Sequence, residues 1–268
     1  MNKILNNIVL LIIITIIGGY YFKAKILPFF RNTRKIAKGL FNKIHLNKNA
    51  NLTPAQYRKI ALGAVYSEQQ IAYINSLETG LGKSTLQELL ANWWGITNPQ
   101  EALEALTNLK DRGHRFFLPV VYEAFTANEN QQTAIILNKF SNEDDLDRAF
   151  SQLQNLKDTL QELKTNNVLL QDSDILKYGS AGWDCGRLVF LSRICFDAGY
   201  ISEEMAWTFI DAADVLAKST FTNWNDYAKS YLLGRAMWGG AQSYNLGIIS
   251  IAKYLQEEPN SPWKQLAW

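Results

Sequence analysis

The 268 residues are 47% hydrophobic and 19% charged, proportions that exclude an intrinsically disordered chain and permit one large domain or two small ones. A net charge of +2 excludes the overall basic field of a nucleic-acid binder, and no nucleic-acid partner is expected. The charge is unevenly spread: Lys23, Lys25, Arg31, Arg34, Lys35, Lys38, Lys43 and Lys48 all precede the first acidic residue, Glu68.

The first expected element is an apolar segment from Ile4 to Phe22, centred on an almost unbroken aliphatic run from Ile8 to Ile17. About 20 such residues match the thickness of a bilayer's hydrocarbon core, and Tyr20 and Tyr21 fall where an interfacial aromatic belt would lie. No small-x-small cleavage site follows, which favours an uncleaved single-pass anchor (residues 1–22) over a signal peptide. The Lys and Arg excess on its carboxyl side places the rest of the chain in the cytosol. Residues 23–51 form a basic neck and polar hinge. Phe29, Phe30, Ile36, Leu40, Phe41 and Ile44 recur there at largely helical spacing, as in an amphipathic helix on an anionic leaflet; a solvated linker that merely sets topology is the plainer alternative.

Residues 52–268 read as an all-α, multi-helix, bundle-like domain. Thr53-Pro54 opens a helical stretch to about Leu77, and Ser84 with Gln87 spells a capping box ahead of a helix over 85–93. Asn98-Pro99 starts the next helix, with Ala102, Leu103, Leu106 and Leu109 on one face and Gly113 at its end. Further helices are expected over 142–163, 184–198, 203–218 and from Asn223 or Trp224 to Trp238, with loops at 165–173 and 179–182. No alternating stretch demands a strand.

Several apparent active-site motifs fail on spacing. Gly80-Leu-Gly82-Lys83-Ser84 lacks the upstream glycine of a phosphate loop, whose place Leu77 takes. Gly179-Ser-Ala-Gly182 is one residue out of register for a nucleophile elbow. Two histidines, His45 and His114, and two cysteines, Cys185 and Cys195, form no metal-ligand spacing, so neither metal nor cofactor is expected. The cysteines, ten residues apart on one expected helix, lie roughly 15 Å apart along its axis, too far to bridge. An acidic site from Asp184, Glu203, Glu204, Asp211 and Asp214 is the remaining metal alternative.

The richest stretch runs from Trp183 to Trp238. Asp184 and Arg187 can pair three apart, as can Arg193 and Asp197 four apart. Two arrangements stay open. One is an aromatic core stapled by buried Arg–Asp pairs. The other is a polar site of Asp184, Arg187, Arg193 and Arg235 in a cleft walled by Trp183, Trp207, Trp224, Tyr231 and Trp238, suited to a carboxylate or phosphate.

Trp94-Gly95-Ile96-Thr97, Glu101-Ala102-Leu103 and Gly113-His114-Arg115 resemble one signature of the bacterial DUF1266 family. Trp183-Asp184, Arg187, Arg193, Ala198-Gly199-Tyr200-Ile201, Glu204 and Ala206-Trp207 resemble a second. Phe221, Trp224, Tyr231, Gly234-Arg235 and Trp238 continue it, as do Ser261-Pro262-Trp263 and Leu266-Ala267-Trp268. The similarity runs from about residue 85 to 268. It implies a helical fold and a bacterial source, placing the anchor in the inner membrane, and brings no reaction with it. It also adds His114 and Arg115 to the candidate site, either capping a helix or standing beside Asp184. The first functional expectation is a non-enzymatic module that binds a protein partner at the membrane. The alternatives are an enzyme or a sensor acting on an anionic or lipid-derived molecule through the Asp/Arg/His cluster.

Overall fold

The computed structural model describes residues 44–268, which form one compact unit, and every regular element in it is helical. The expected membrane anchor and most of the basic neck lie outside the described residues. Among the described residues, no helix is long and apolar enough to cross a membrane.

In chain order the elements are α1 (Pro54–Ala61), α2 (Ala64–Gln70), α3 (Lys83–Gln87), a π-helix (Glu88–Trp93), α4 (Pro99–Asp111), α5 (Leu118–Thr126), α6 (Glu129–Lys139) and α7 (Glu143–Thr165). They continue with α8 (Asp174–Tyr178), α9 (Ala181–Asp197), α10 (Glu203–Thr220), α11 (Trp224–Gly239), a 3-10 turn (Ala241–Ser243), α12 (Asn245–Glu257) and α13 (Pro262–Gln265). The axis of the fold is α9. Every residue from Ala181 to Cys195 is buried, and α2, α4, α10 and α11 pack around it. A helix apolar on all sides is stable only when enclosed in this way. On its far side α11 meets α7 and α12. Small residues set the α9–α11 spacing: a Cβ on Gly182 would lie 2.7 Å from the Tyr227 carbonyl, and one on Gly234 2.5 Å from the Trp183 Cβ.

Helix starts follow their side-chain caps. Thr53 and Gln56 form a reciprocal capping box, and Asn98, Asn142, Ser202 and Asn223 each accept a first-turn N–H. Three expectations need correction. The stretch from Thr53 breaks at Leu62-Gly63 and again at Ile71, which takes a left-handed φ of 60°, so residues 71–82 are irregular. Ser84 does not cap: Gly82 holds that position with extended backbone, Ser84 lies inside α3, and the chain then widens into the π-helix. The α9 helix begins at Ala181, so Gly182 belongs to it and not to a loop. Helices α5, α6 and α12, and the short α8 and α13, lie outside the expected set.

The irregular segment is fastened from beneath by Arg193, which is fully buried. Its Nε donates to the Leu77 carbonyl (3.1 Å), Nη1 to Ser67 Oγ (2.8 Å), and Nη2 to the carbonyls of Tyr73 (2.5 Å) and Glu78 (3.1 Å). Burial lowers its pKa to about 10, against the fields of Asp197 and Glu78. The expected Arg193–Asp197 ion pair does not form; Asp197 instead accepts the Thr79 N–H (2.9 Å) and hydroxyl. Asn47, within the polar hinge, is tied to the same segment, donating to Asn75 Oδ1 (2.7 Å) and to Ser76 Oγ (3.2 Å).

Candidate functional site

Asp184 is the hub. It stands one turn into α9, its side chain 1% exposed, and the end of α4 folds over it. Gly113, at a φ of 59°, reverses the chain so that two successive N–H groups, those of His114 and Arg115, each donate to one carboxylate oxygen at 2.9 Å. A side chain at 113 is excluded twice over, by the positive φ and by Asp184 Oδ2, which a Cβ would meet at 2.3 Å. Arg187, one turn along α9, donates Nη2 to Asp184 Oδ1 at 2.6 Å; Arg115 Nη1 reaches Oδ2 at 3.2 Å. Arg115 also caps α4 through the carbonyls of Leu109 and Lys110. The two accounts of His114-Arg115 are therefore compatible: the pair closes a helix and binds Asp184.

This hub borders an open cleft of about 500 Å³ between α4, α7, α9 and α11, with Trp94, His114, Arg148, Gln152, Arg187 and Trp238 on its walls. The His114 ring faces Gln152, with Nδ1 3.2 Å from the amide nitrogen. In that arrangement Nδ1 accepts and Nε2 carries the ring proton. Burial, and then the cations Arg187 and Arg148, push the imidazole pKa down to about 2. The Arg187 guanidinium lies over the rings of Trp183 (4.9 Å) and Trp94 (5.8 Å), and its Nε has no partner.

Behind the cleft wall is Arg235. Its guanidinium sits 4.9 Å from the Trp238 ring and 5.6 Å from that of Trp183, and Nη2 donates to the Ser243 carbonyl at 3.1 Å. Arg235 is 8% exposed, its Nη1 is unpartnered, and it makes no ion pair among the described residues. Burial lowers its pKa. Tyr231 packs edge-on to Trp183 at 5.1 Å, and its hydroxyl also lacks a partner.

The sequence-derived list thus divides. His114, Arg115, Asp184 and Arg187 converge, with Arg235, Trp183, Tyr231 and Trp238 adjoining them. Arg193 belongs to the separate fastening described above, held by main-chain carbonyls that no spacing rule marks. Trp224 stacks on Trp263 (5.5 Å) within the cluster formed by Trp268 and the Arg58–Asp214 pair, and Trp207 bonds Glu203 within its own helix. The acidic residues do not gather: Asp211 pairs with Lys59, and Asp214 with Arg58 and Lys218. Among the described residues no group of three or more His, Cys, Asp or Glu is placed to hold a metal ion.

Residues 89–268 match the family described as "Protein of unknown function (DUF1266)". The chain belongs to the DUF1266 family. No curated protein and no solved structure matches it. The DUF1266 match begins inside the π-helix and includes Trp94 and every residue of the cleft. Helices α1 and α2 precede it, although Ser67 of α2 is one of the groups that hold Arg193.

Sequence reasoning missed Arg148 and Gln152 of this DUF1266 site. A signal for Gln152 existed: it interrupts the apolar stripe Phe150, Leu153, Leu156 of α7 yet is only 2% exposed. A polar side chain at a core position requires a partner, and here that partner is His114. A second cavity, about 640 Å³, opens between α3, the π-helix and the end of α9, lined largely by apolar groups such as Leu86, Leu90 and Ile96. The π-helix therefore contributes to one cavity, while Trp94 directly after it lines the other. Insertions of this kind recur at functional sites.

Proposed function

We propose that this DUF1266 domain binds a small anionic molecule in the His114–Arg187 cleft, and that residues 4–22 tether it to the inner face of a bacterial cytoplasmic membrane. One observation carries the binding: Arg187, fixed by Asp184 and with its Nε unpartnered, stands at the wall of a cavity that also holds Arg148. The planar guanidinium fork suits carboxylate or phosphate, and Trp94 and Trp238 offer flat apolar area to the rest of a ligand. Binding without turnover is favoured because His114 stays neutral down to about pH 2, far from the range of a general acid or base at neutrality. Burial within α9 likewise raises the pKa of both cysteine thiols and keeps them from acting as nucleophiles.

The tether is supported by the sequence alone, through the apolar run and the basic residues that follow it. A protein partner is the second reading. The exposed side chains of Trp238 (49%), Tyr244 (39%) and Leu246 (56%), close together in the chain and starting at the cleft wall, give such a partner an apolar foothold.

Thermal unfolding of the full chain tests the binding, with phosphate, sulfate, acetate and succinate each added at matched ionic strength. An anion present at about a hundredfold its Kd adds about 2.7 kcal/mol of stability, a shift readily measured as a rise in Tm. At least one anion should give a saturable rise. Replacing the exposed Arg148 by Ala should leave the unliganded Tm near that of the wild type and weaken the anion about fivefold or more. No rise with any anion, or a rise indifferent to both Arg148→Ala and Arg187→Lys, would sink the idea.

A further inference from the structure

The groups around Trp183 are unbalanced in two ways, in charge and in hydrogen bonding. Arg115, Arg148, Arg187 and Arg235 stand around the cleft and its inner wall against two carboxylates, Asp147 and Asp184, so two positive charges remain over while His114 is neutral. The unpartnered buried atoms there also lean toward donors: Arg187 Nε, Arg235 Nη1 and Trp183 Nε1, on side chains 7%, 8% and 2% exposed, with the Tyr231 and Ser180 hydroxyls, against one acceptor, Gln152 Oε1. Buried polar atoms in folded proteins almost always have a partner, and a cluster of orphans in which donors outnumber acceptors marks a missing acceptor. An uncompensated buried guanidinium is costlier still.

We propose that the anion taken by this cleft is a dianionic phosphoryl group, free or as a small monoester, shared between Arg187 and Arg235 at the Trp183 ring. This rests on the cleft being an anion site at all. A carboxylate supplies two acceptor oxygens and one charge, too little for this many donors and an excess of two. A phosphoryl group supplies three peripheral oxygens and, near neutrality, close to two charges. Access runs past Trp238, which is half exposed, lines the cleft and lies against Arg235. In the unliganded chain Arg235 is then a destabilising residue, retained for what it binds.

Isothermal titration of the full chain with inorganic phosphate, acetate and succinate, in the wild type and in Arg235→Met, tests this. Phosphate should bind at least about tenfold more tightly than either carboxylate, and Arg235→Met should remove that preference while raising the unliganded Tm. A merely structural arginine stacked between two tryptophans predicts the opposite: a lower Tm and unchanged phosphate affinity. If Arg235→Met fails to fold, Arg235→Lys keeps the charge without the fork and should retain weakened phosphate binding. Two soluble probes separate the sources of the group. Competition of inorganic phosphate by a short-chain phosphatidic acid below its micellar concentration assigns a lipid headgroup, and phosphate binding without that competition assigns a free metabolite. Carboxylates binding as well as phosphate, with Arg235→Met indifferent, overturns the phosphoryl assignment and leaves anion binding standing. No binding of any anion overturns both.

Discussion

Two desolvated titratable residues in this domain, Glu68 and the partly buried His114, pull stability in opposite directions. His114 takes up no second ring proton in the folded chain down to about pH 2, whereas the unfolded imidazole gains one below 6.5. Between those values the unfolded state binds the extra proton, so this residue makes stability rise with pH. Glu68 is 3% exposed with Oε1 unpartnered, and burial raises its pKa to about 7, against a backbone hydrogen bond from His45. Above the ordinary 4.5 the folded state keeps a proton that the unfolded state has lost, so this residue makes stability fall as pH rises. From pH 4.5 to 6.5 the two slopes, each at most about 1.4 kcal/mol per pH unit, oppose one another. Chemical unfolding across that window should show Glu68→Gln gaining stability with pH relative to the wild type, and His114→Gln losing it. Parallel curves for all three chains would show that neither group is held out of its normal range. At this scale the sequence was partly legible. The Asp184–Arg187 pair follows from a spacing of three on a helix. The His114–Gln152 and His114–Asp184 contacts join residues 38 and 70 apart, and no local pattern encodes such a meeting.

Among the elements, what could be read was whatever is decided within one turn. The starts at Thr53, Asn98, Asn142, Ser202 and Asn223 were recoverable because cap and first-turn amide lie two or three residues apart. Helix α12 has no such mark: its N-cap is Tyr244, in left-handed conformation with no side-chain cap, and its position depends on packing against α2 and α11. The α9–α11 contact gives an element-scale prediction. A Cβ at Gly234 meets the base of Trp183 at 2.5 Å and Ser180 Cβ at 3.0 Å, neither of them the movable tip of a side chain. Gly234→Ala should therefore part the two helices and cost about 1–3 kcal/mol in urea unfolding. Because Trp183 and Arg235 lie at that crossing, its anion response should weaken as well. Gly82→Ala, where a Cβ meets nothing within 4 Å, is the matched control, with little change expected. Equal stability of the two variants would show that the crossing tolerates a methyl group.

Across the whole domain, composition and period were enough for the helical class, while the assignment of aromatics and arginines to one site was not. Five aromatic and four arginine candidates lay within 124 residues of chain, from Arg115 to Trp238, and nothing in their spacing separated the cleft from the core. The fold distributes them over three places, with Trp207 apart from all three on α10. Trp183, Tyr231 and Trp238 stand with Arg187 and Arg235; Trp224 joins the carboxyl-terminal cluster, where Trp268 Nε1 donates to the Phe221 carbonyl at 2.7 Å; Arg193 lies under residues 71–82. Charge balance distinguishes them. Arg58 has Asp214 and Arg193 has four oxygen acceptors, whereas Arg235 has one carbonyl. The unmatched arginine, rather than the most buried one, is where ligand chemistry is to be sought.

The fastening by Arg193 has a kinetic consequence. A segment of a dozen residues without helical hydrogen bonds ordinarily opens locally, exchanges its amide protons quickly and is cut early by proteases. Here one guanidinium holds three of its carbonyls, and Asp197 holds the Thr79 amide, so opening the segment requires undocking a fully buried cation. The Thr79 amide should therefore exchange with deuterium as slowly as amides in α9, and Arg193→Lys should release the segment to fast exchange while leaving α9 protected. Fast exchange at Thr79 in the wild type would mean that the loop breathes independently of its anchor. Slow exchange would make residues 71–82 part of the same cooperative unit as the helices, a loop in shape but not in lifetime.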